Sequence, residues 1–168
     1  MTVSQRYIAK LEALGPGDRG LLRSCADAPL NQDVIGFDLF TALWWALRNE
    51  TPRVPAREPS WLVAKLFPWN PIIAGRGSVA TGLARLAPRR PEDYRRQRAR
   101  FESLLSATGR SLEPPLREAI RRLHNEGVGI DWVSLLDDLT GWDKPGKWPQ
   151  RKWAEEWHYA VKGNRHAY

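Results

Sequence analysis

Apolar residues recur at three- and four-residue spacing along most of the chain, and glycine and proline cut the runs that carry this period. Ser4 to Leu14 places Tyr7, Ile8, Leu11 and Leu14 on one helical face and stops at Gly15-Pro16-Gly17. Asp18 is expected to cap a short helix carrying Leu21, Leu22 and Cys25, and Ala28 to Asn31 reads as a turn. From Phe37 to Leu47 one stripe holds Phe37, Phe40, Trp44 and Leu47, with Leu43 beside it, so this helix is expected at the centre of an N-terminal core. Thr51 to Pro59 contains three prolines and is expected to be a loop. Ser60 to Phe67 reads as a short helix halted by Pro68 and Pro71. Ser78 to Ala87 reads as another, with Val79, Leu83 and Leu86 in register despite Gly82.

Pro88 to Pro91 breaks the pattern and divides the chain into an N-terminal bundle, residues 1–88, and a C-terminal one, residues 89–168. Pro91 suits the first position of a helix, where Glu92 and Asp93 favour the dipole. Two helical patterns then flank Gly109. In the first, Tyr94, Phe101 and Leu105 share a face; in the second, Leu116, Ile120 and Leu123 do. Gly127 ends that helix, Asp131 caps one carrying Trp132, Leu135, Leu136 and Leu139, and Gly141 closes it. After a basic loop, Lys144 to Pro149, a last helix sets Trp153 and Trp157 four apart between Arg151–Glu155 and Lys152–Glu156 pairs. The tail from Lys162 to Tyr168 is polar and expected to fray. No alternating strand and no fixed repeat emerges. The fold class expected is all-α, two small helical bundles in one chain.

Charge changes this picture most between Tyr94 and Leu123. Arg95, Arg96 and Arg100 lie opposite the first apolar stripe, with Arg98 on its border, and Arg117, Arg121 and Arg122 lie outside the second. The whole chain sets 26 basic residues against 19 acidic ones, a net charge of +7. That balance points to a polyanionic partner, most often nucleic acid. Six of the basic residues are Lys, so Arg dominates, and its planar fork bridges phosphate oxygens. The competing reading is a GC-rich composition that inflates arginine everywhere.

The candidate chemistry is sparse. Cys25 is the one cysteine, which excludes an internal disulfide and fits a reducing, cytoplasmic setting. No apolar run approaches a membrane span, so no membrane partner is expected. His124, His158 and His166 form no metal-binding spacing, and no cofactor is expected. Asp137 and Asp138, adjacent on a helix, point about 100° apart and read as a solvated face. No phosphate-cradling glycine motif occurs, and Gly75-Arg76-Gly77 reads as a loop. These residues describe a binder, not an enzyme.

Several motifs in order resemble one family. Ser-Val-Ala-Thr-Gly-Leu-Ala-Arg-Leu (78–86) and Arg-Ala-Arg-Phe-Glu-Ser-Leu-Leu-Ser-Ala (98–107) are similar to helices of the CasB family. That family is the small subunit of the type I-E CRISPR surveillance complex Cascade. The likeness continues through Leu-Arg-Glu-Ala-Ile-Arg-Arg-Leu (116–123), Ile-Asp-Trp-Val-Ser-Leu-Leu-Asp-Asp-Leu (130–139) with Trp142, and Arg151 with Trp153. It spans roughly Trp61 to Tyr159, and the loop around Lys144 looks longer than the family's usual one. The resemblance implies a non-catalytic, two-bundle helical subunit of an antiviral complex. Its partners would be crRNA and target DNA, held through the backbone, the other Cascade subunits, and a second copy of itself. Carried over by position, Arg85, Arg98, Arg100, Arg110, Arg121 and Arg122 are implied to bind nucleic acid, with Arg23, Lys144 and Arg151 beside them.

Three rival readings stand. One is a pure scaffold in which arginines meet acidic neighbours and Trp148 and Trp153 anchor interfaces. Another is a helix-turn-helix regulator built from 114–123 and 131–139, although Asp137 and Asp138 would repel phosphate there. The third is an enzyme, for which no constellation is found.

Overall fold

The computed structural model describes residues 1–30, 36–72 and 75–166 of the 168. Its helices are α1 (Val3–Glu12), α2 (Pro16–Ser24), α3 (Phe37–Glu50), α4 (Arg57–Leu66), α5 (Val79–Arg85), α6 (Pro91–Ser106), α7 (Glu113–Asn125), α8 (Trp132–Thr140) and α9 (Trp148–His166). Short 3-10 turns follow α4, at Phe67–Trp69, and precede α7, at Gly109–Ser111. Among the described residues there is no strand, only one isolated parallel bridge between Gly77 and Ile130. The all-α expectation is met.

Caps explain the helix starts. Thr2 accepts from the Gln5 N–H while Gln5 reaches back to Thr2, a reciprocal capping box, and Asp131 accepts from the Ser134 N–H. Asp18, expected as a cap, instead lies inside the first turn of α2, because Pro16 opens the helix and Gly15 precedes it. The helix expected from Ser60 begins at Arg57, since Pro59 still falls in a first turn, where its missing N–H costs nothing. Part of the predicted turn, Asn31, and the last two residues of the predicted frayed tail lie outside the described residues; α9 continues through His166.

The buried stripes follow the predicted periods in most helices: Tyr7, Ile8 and Leu11 in α1, Phe40, Trp44 and Leu47 in α3, Leu116, Ile120 and Leu123 in α7. Two stripes are shifted. In α6 Leu104, not Leu105, joins Phe101 inside, where Phe101 stacks on Trp157 with ring centroids 4.4 Å apart. In α5 the buried positions are Val79, Ala80, Gly82 and Ala84, with Leu83 and Leu86 half-exposed. The reason is proximity: α5 lies along α9 in the most extensive helix pairing of the described residues. On another side, a β-carbon on Gly82 would come within 2.9 Å of Leu123 Cδ2. Small side chains permit that approach.

The position of residue 88 falls in the turn between α5 and α6, and helices from both sides share one apolar core. α4 packs on α8, and α1 on α3 and α8. Asn70 ties the centre together. Its side-chain amide donates to the Val128 carbonyl at 2.9 Å, and its own carbonyl accepts from the Trp132 indole at 3.0 Å.

Candidate nucleic-acid interface

α6 and α7 present most of the predicted arginines, and the structure sorts them by what each touches. Arg95, Arg96 and Arg100 are exposed on α6 with no carboxylate partner among the described residues. Arg122, on α7, hydrogen-bonds Gln97 of α6, which brings the two arginine faces together where the helices meet. Arg100 lies near Glu118, and its charge helps to lower that carboxyl's pKa, after the larger effect of the hydrogen bonds from Arg121. Arg121 donates to both Glu118 oxygens, at 2.6 and 3.0 Å, on the open surface. Arg98 bonds Glu102 one turn on, at 3.1 Å. Both of these pairs are exposed, a setting in which an ion pair is worth little and yields readily to a competing phosphate.

Arg117 is different. It faces inward, against expectation, and makes a bidentate pair with Asp27, both bonds 3.0 Å, while lying 3.5 Å from Glu113 and over the Trp69 ring. The forked geometry holds the Asp27 carboxyl below its usual range and raises the guanidinium, with burial opposing each shift. Arg117 is committed to joining α7 to the segment after α2. Arg23 also sits over the Trp69 ring, 4.1 Å from its centroid. It is exposed.

Arg85 is exposed in the last turn of α5, and Arg110 is exposed at the 3-10 turn before α7. Arg110 lines a cleft of about 760 Å³ together with Asp27, Trp61, Lys65, Trp142 and Asp143. At the base of that cleft Lys65 and Glu113 form a buried ion pair that nothing in the local pattern announced, because the partners lie 48 residues apart. Lys144 is exposed in the loop before α9 and Arg151 in its first turn.

The acidic and tryptophan readings need correction. Asp138 does not face solvent. It is buried, accepting from Lys152 at 2.8 Å and from the Trp153 indole at 2.8 Å, so the pair expected between Lys152 and Glu156 is secondary, at 4.0 Å. Only Asp137 is exposed, and it accepts from Ser4. Trp153, offered as an interface anchor, is 1% exposed and belongs to the core; Trp148 is 43% exposed. α8 buries Trp132, Leu135, Leu136, Asp138 and Leu139, leaving no broad face to lie in a DNA groove. Among the described residues no group of His, Cys, Asp or Glu could hold a metal ion.

Comparison with known proteins places this geometry. The model of the CRISPR-associated protein Cse2 family matches residues 18–158. The CRISPR-associated protein Cse2 of Thermus thermophilus is 34% identical over 108 residues, which is 64% of this chain and 60% of that protein. Among solved structures, CasB of M. ruber superposes with a TM-score of 0.75 at 23% identity, over 98% of this chain and 97% of that one. A chain of a CRISPR RNA-guided surveillance complex gives a TM-score of 0.75 at 17% identity, over 99% and 100%. At those identities the structural likeness establishes the fold.

Proposed function

Because this chain belongs to the CRISPR-associated Cse2 family, we propose that it is the small, non-catalytic subunit of a type I-E Cascade surveillance complex. Its task there is to hold nucleic acid by the backbone. Guanidinium groups replace condensed counterions along the displaced non-target strand and beside the crRNA–target hybrid, and so favour the open R-loop. The observation that carries this reading is the exposed set Arg95, Arg96 and Arg100, which forms no salt bridge with a carboxylate among the described residues and shares α6 with Gln97, the residue that Arg122 bonds from α7. Arg121 and Arg98 add to it by exchanging surface carboxylates for phosphate. Arg85, Arg110, Arg23, Lys144 and Arg151 are further exposed cations in this reading, and Arg117 serves the fold. Neighbouring Cascade subunits and a second copy of the chain are the protein partners in this reading.

No base-reading element accompanies these arginines, so binding should be indifferent to sequence. The test is affinity for a single-stranded oligonucleotide against salt. Wild type should show a linear log–log loss. Exchanging Arg95, Arg96 and Arg100 together for Ala should reduce the slope by about 2, at roughly 0.7 for each phosphate no longer neutralised. The three are exposed, so the melting temperature should stay within about 2 °C, surface substitutions being near neutral. A flat salt plot for wild type, or an unchanged slope in the triple variant, would refute the reading. Strong preference for one duplex sequence would favour the regulator.

A further inference from the structure

The connection between α8 and α9, with the first turn of α9, carries an exposed indole and three exposed cations within a few residues of it. Both ends of the connection are tied to the core. Trp142 is buried and donates to the Ala107 carbonyl at 2.9 Å, and Gln150 is buried and donates to the Trp142 carbonyl at 2.8 Å. Between them Asp143 to Trp148 are all exposed. Backbone bonds from Lys144 to Gly141, Lys147 to Lys144 and Arg151 to Lys147 brace the turn. Lys147 stands at φ 49°, a left-handed conformation that a side chain with a β-carbon adopts only when its surroundings impose it.

Trp148 follows directly. Its indole rests on bare backbone: a β-carbon on Gly141 would come within 2.6 Å of Nε1 and 2.7 Å of Cζ2. The ring therefore packs against the Gly141 backbone while 43% of the residue stays exposed, and it takes no part in the apolar core. Lys144, Lys147 and Arg151 lie close to it in the chain, at the fourth and first residues before it and the third after it, all exposed and none in a salt bridge with a carboxylate among the described residues. Asp143 is the one acid of the loop, and the first turn of α9 has none.

We propose that this segment is a base-stacking site for single-stranded nucleic acid. One base lies on the Trp148 indole, and phosphates on either side meet Lys144, Lys147 and Arg151. The inference rests on the polyanion reading above and adds what that reading lacks, an aromatic platform. Every base offers a π face, so such a platform grips a strand without choosing its sequence. Phosphate contacts alone let a strand slide, whereas an inserted ring fixes its register. A protein partner fits less well, because the exposed residues just before the ring in the chain are mostly charged, Asp143, Lys144 and Lys147, with Pro145 the one apolar residue among them.

The experiment uses the full chain and a fluorescent oligo-dT, with anisotropy followed across a salt series. Trp148→Ala should weaken binding roughly 5- to 150-fold, the range expected when one base–aromatic stack is removed, with an unchanged salt slope. Trp148→Phe should stay within about threefold of wild type, since a smaller ring still stacks. Gly141→Ala, which displaces the indole without touching charge, should follow Trp148→Ala while circular dichroism remains that of wild type. Exchanging Lys144, Lys147 and Arg151 for Ala should lower the slope by about 2. If wild type binds with the expected salt dependence and Trp148→Ala binds equally well, this inference falls and the backbone reading stands. If wild type shows no salt-dependent binding at all, both fall. If Trp148→Leu matches Trp148→Phe, an aromatic face is not needed and stacking is refuted.

Discussion

Replacing Glu113 by Gln probes how α7 is held in place. Glu113 opens α7 and is buried together with Lys65 of α4, their side chains 9% and 4% exposed. One carboxylate oxygen accepts from Lys65; the other accepts from the Asp27 N–H at 2.7 Å and lies 3.5 Å from Arg117. The Lys65 ammonium has one other acceptor, the Ala28 carbonyl at 2.8 Å, and sits over the Trp61 ring. Gln keeps the volume of Glu but removes its charge, so a cation would remain buried without a counter-ion. Breaking a buried pair from one side costs about 3–5 kcal/mol. For a chain of this size each kcal/mol moves the melting point by about 2–4 °C, so a fall of roughly 6–20 °C is expected. Thermal unfolding followed by circular dichroism measures it. Pairing Glu113→Gln with Lys65→Met removes the stranded charge and should recover part of the loss, because replacing a whole buried pair is often close to neutral. A single variant that melts within about 2 °C of wild type, or a double variant as unstable as the sum of its parts, would refute the reasoning. The result matters for function because Arg121 and Arg122 ride on α7 and reach their positions only if it docks correctly.

Two further perturbations test the ionisable groups. The Asp27 carboxyl titrates lower in the folded chain than in the unfolded one, chiefly through its hydrogen bonds from Arg117, so its contribution is present above the unfolded value of 3.8 and is lost as pH falls through the folded one. Asp27→Asn should flatten the acid limb of a plot of melting temperature against pH; an unaltered limb would show that the fork carries no stability. Tyr7, fully buried, donates its hydroxyl to the Ser60 carbonyl at 2.6 Å, and burial raises its pKa well above 10.0. That contribution is complete below the unfolded value and is lost as pH rises through the folded one. Tyr7→Phe should cost about 0.5–1.5 kcal/mol at neutral pH in urea unfolding, yet unfold less steeply with alkali; an unchanged alkaline slope would count against the buried phenol.

Helix positions were legible because the 3.6-residue period and the prolines and glycines act within a few residues of one another. Where α5 was misread, the cause lay elsewhere: Ala80, Gly82 and Ala84 are inside because α9 and Leu123 come close, not because they are the most apolar residues of their segment. Leu104 replaced Leu105 for a similar reason, a 100° difference that only the neighbouring helices decide. Asp138 looked solvated because its partners, Lys152 and Trp153, lie on the next helix.

From the amino-acid order alone follow the all-α class, most core stripes, the excess of arginine and its gathering between residues 94 and 123. Which arginines remain available does not follow. Arg117 is bound to Asp27, 90 residues away, whereas Arg95, Arg96 and Arg100 have no carboxylate partner among the described residues. Local period is set by backbone geometry that each segment carries with it. The partner of a charge is set by distance in space, and that exists only once the helices have packed.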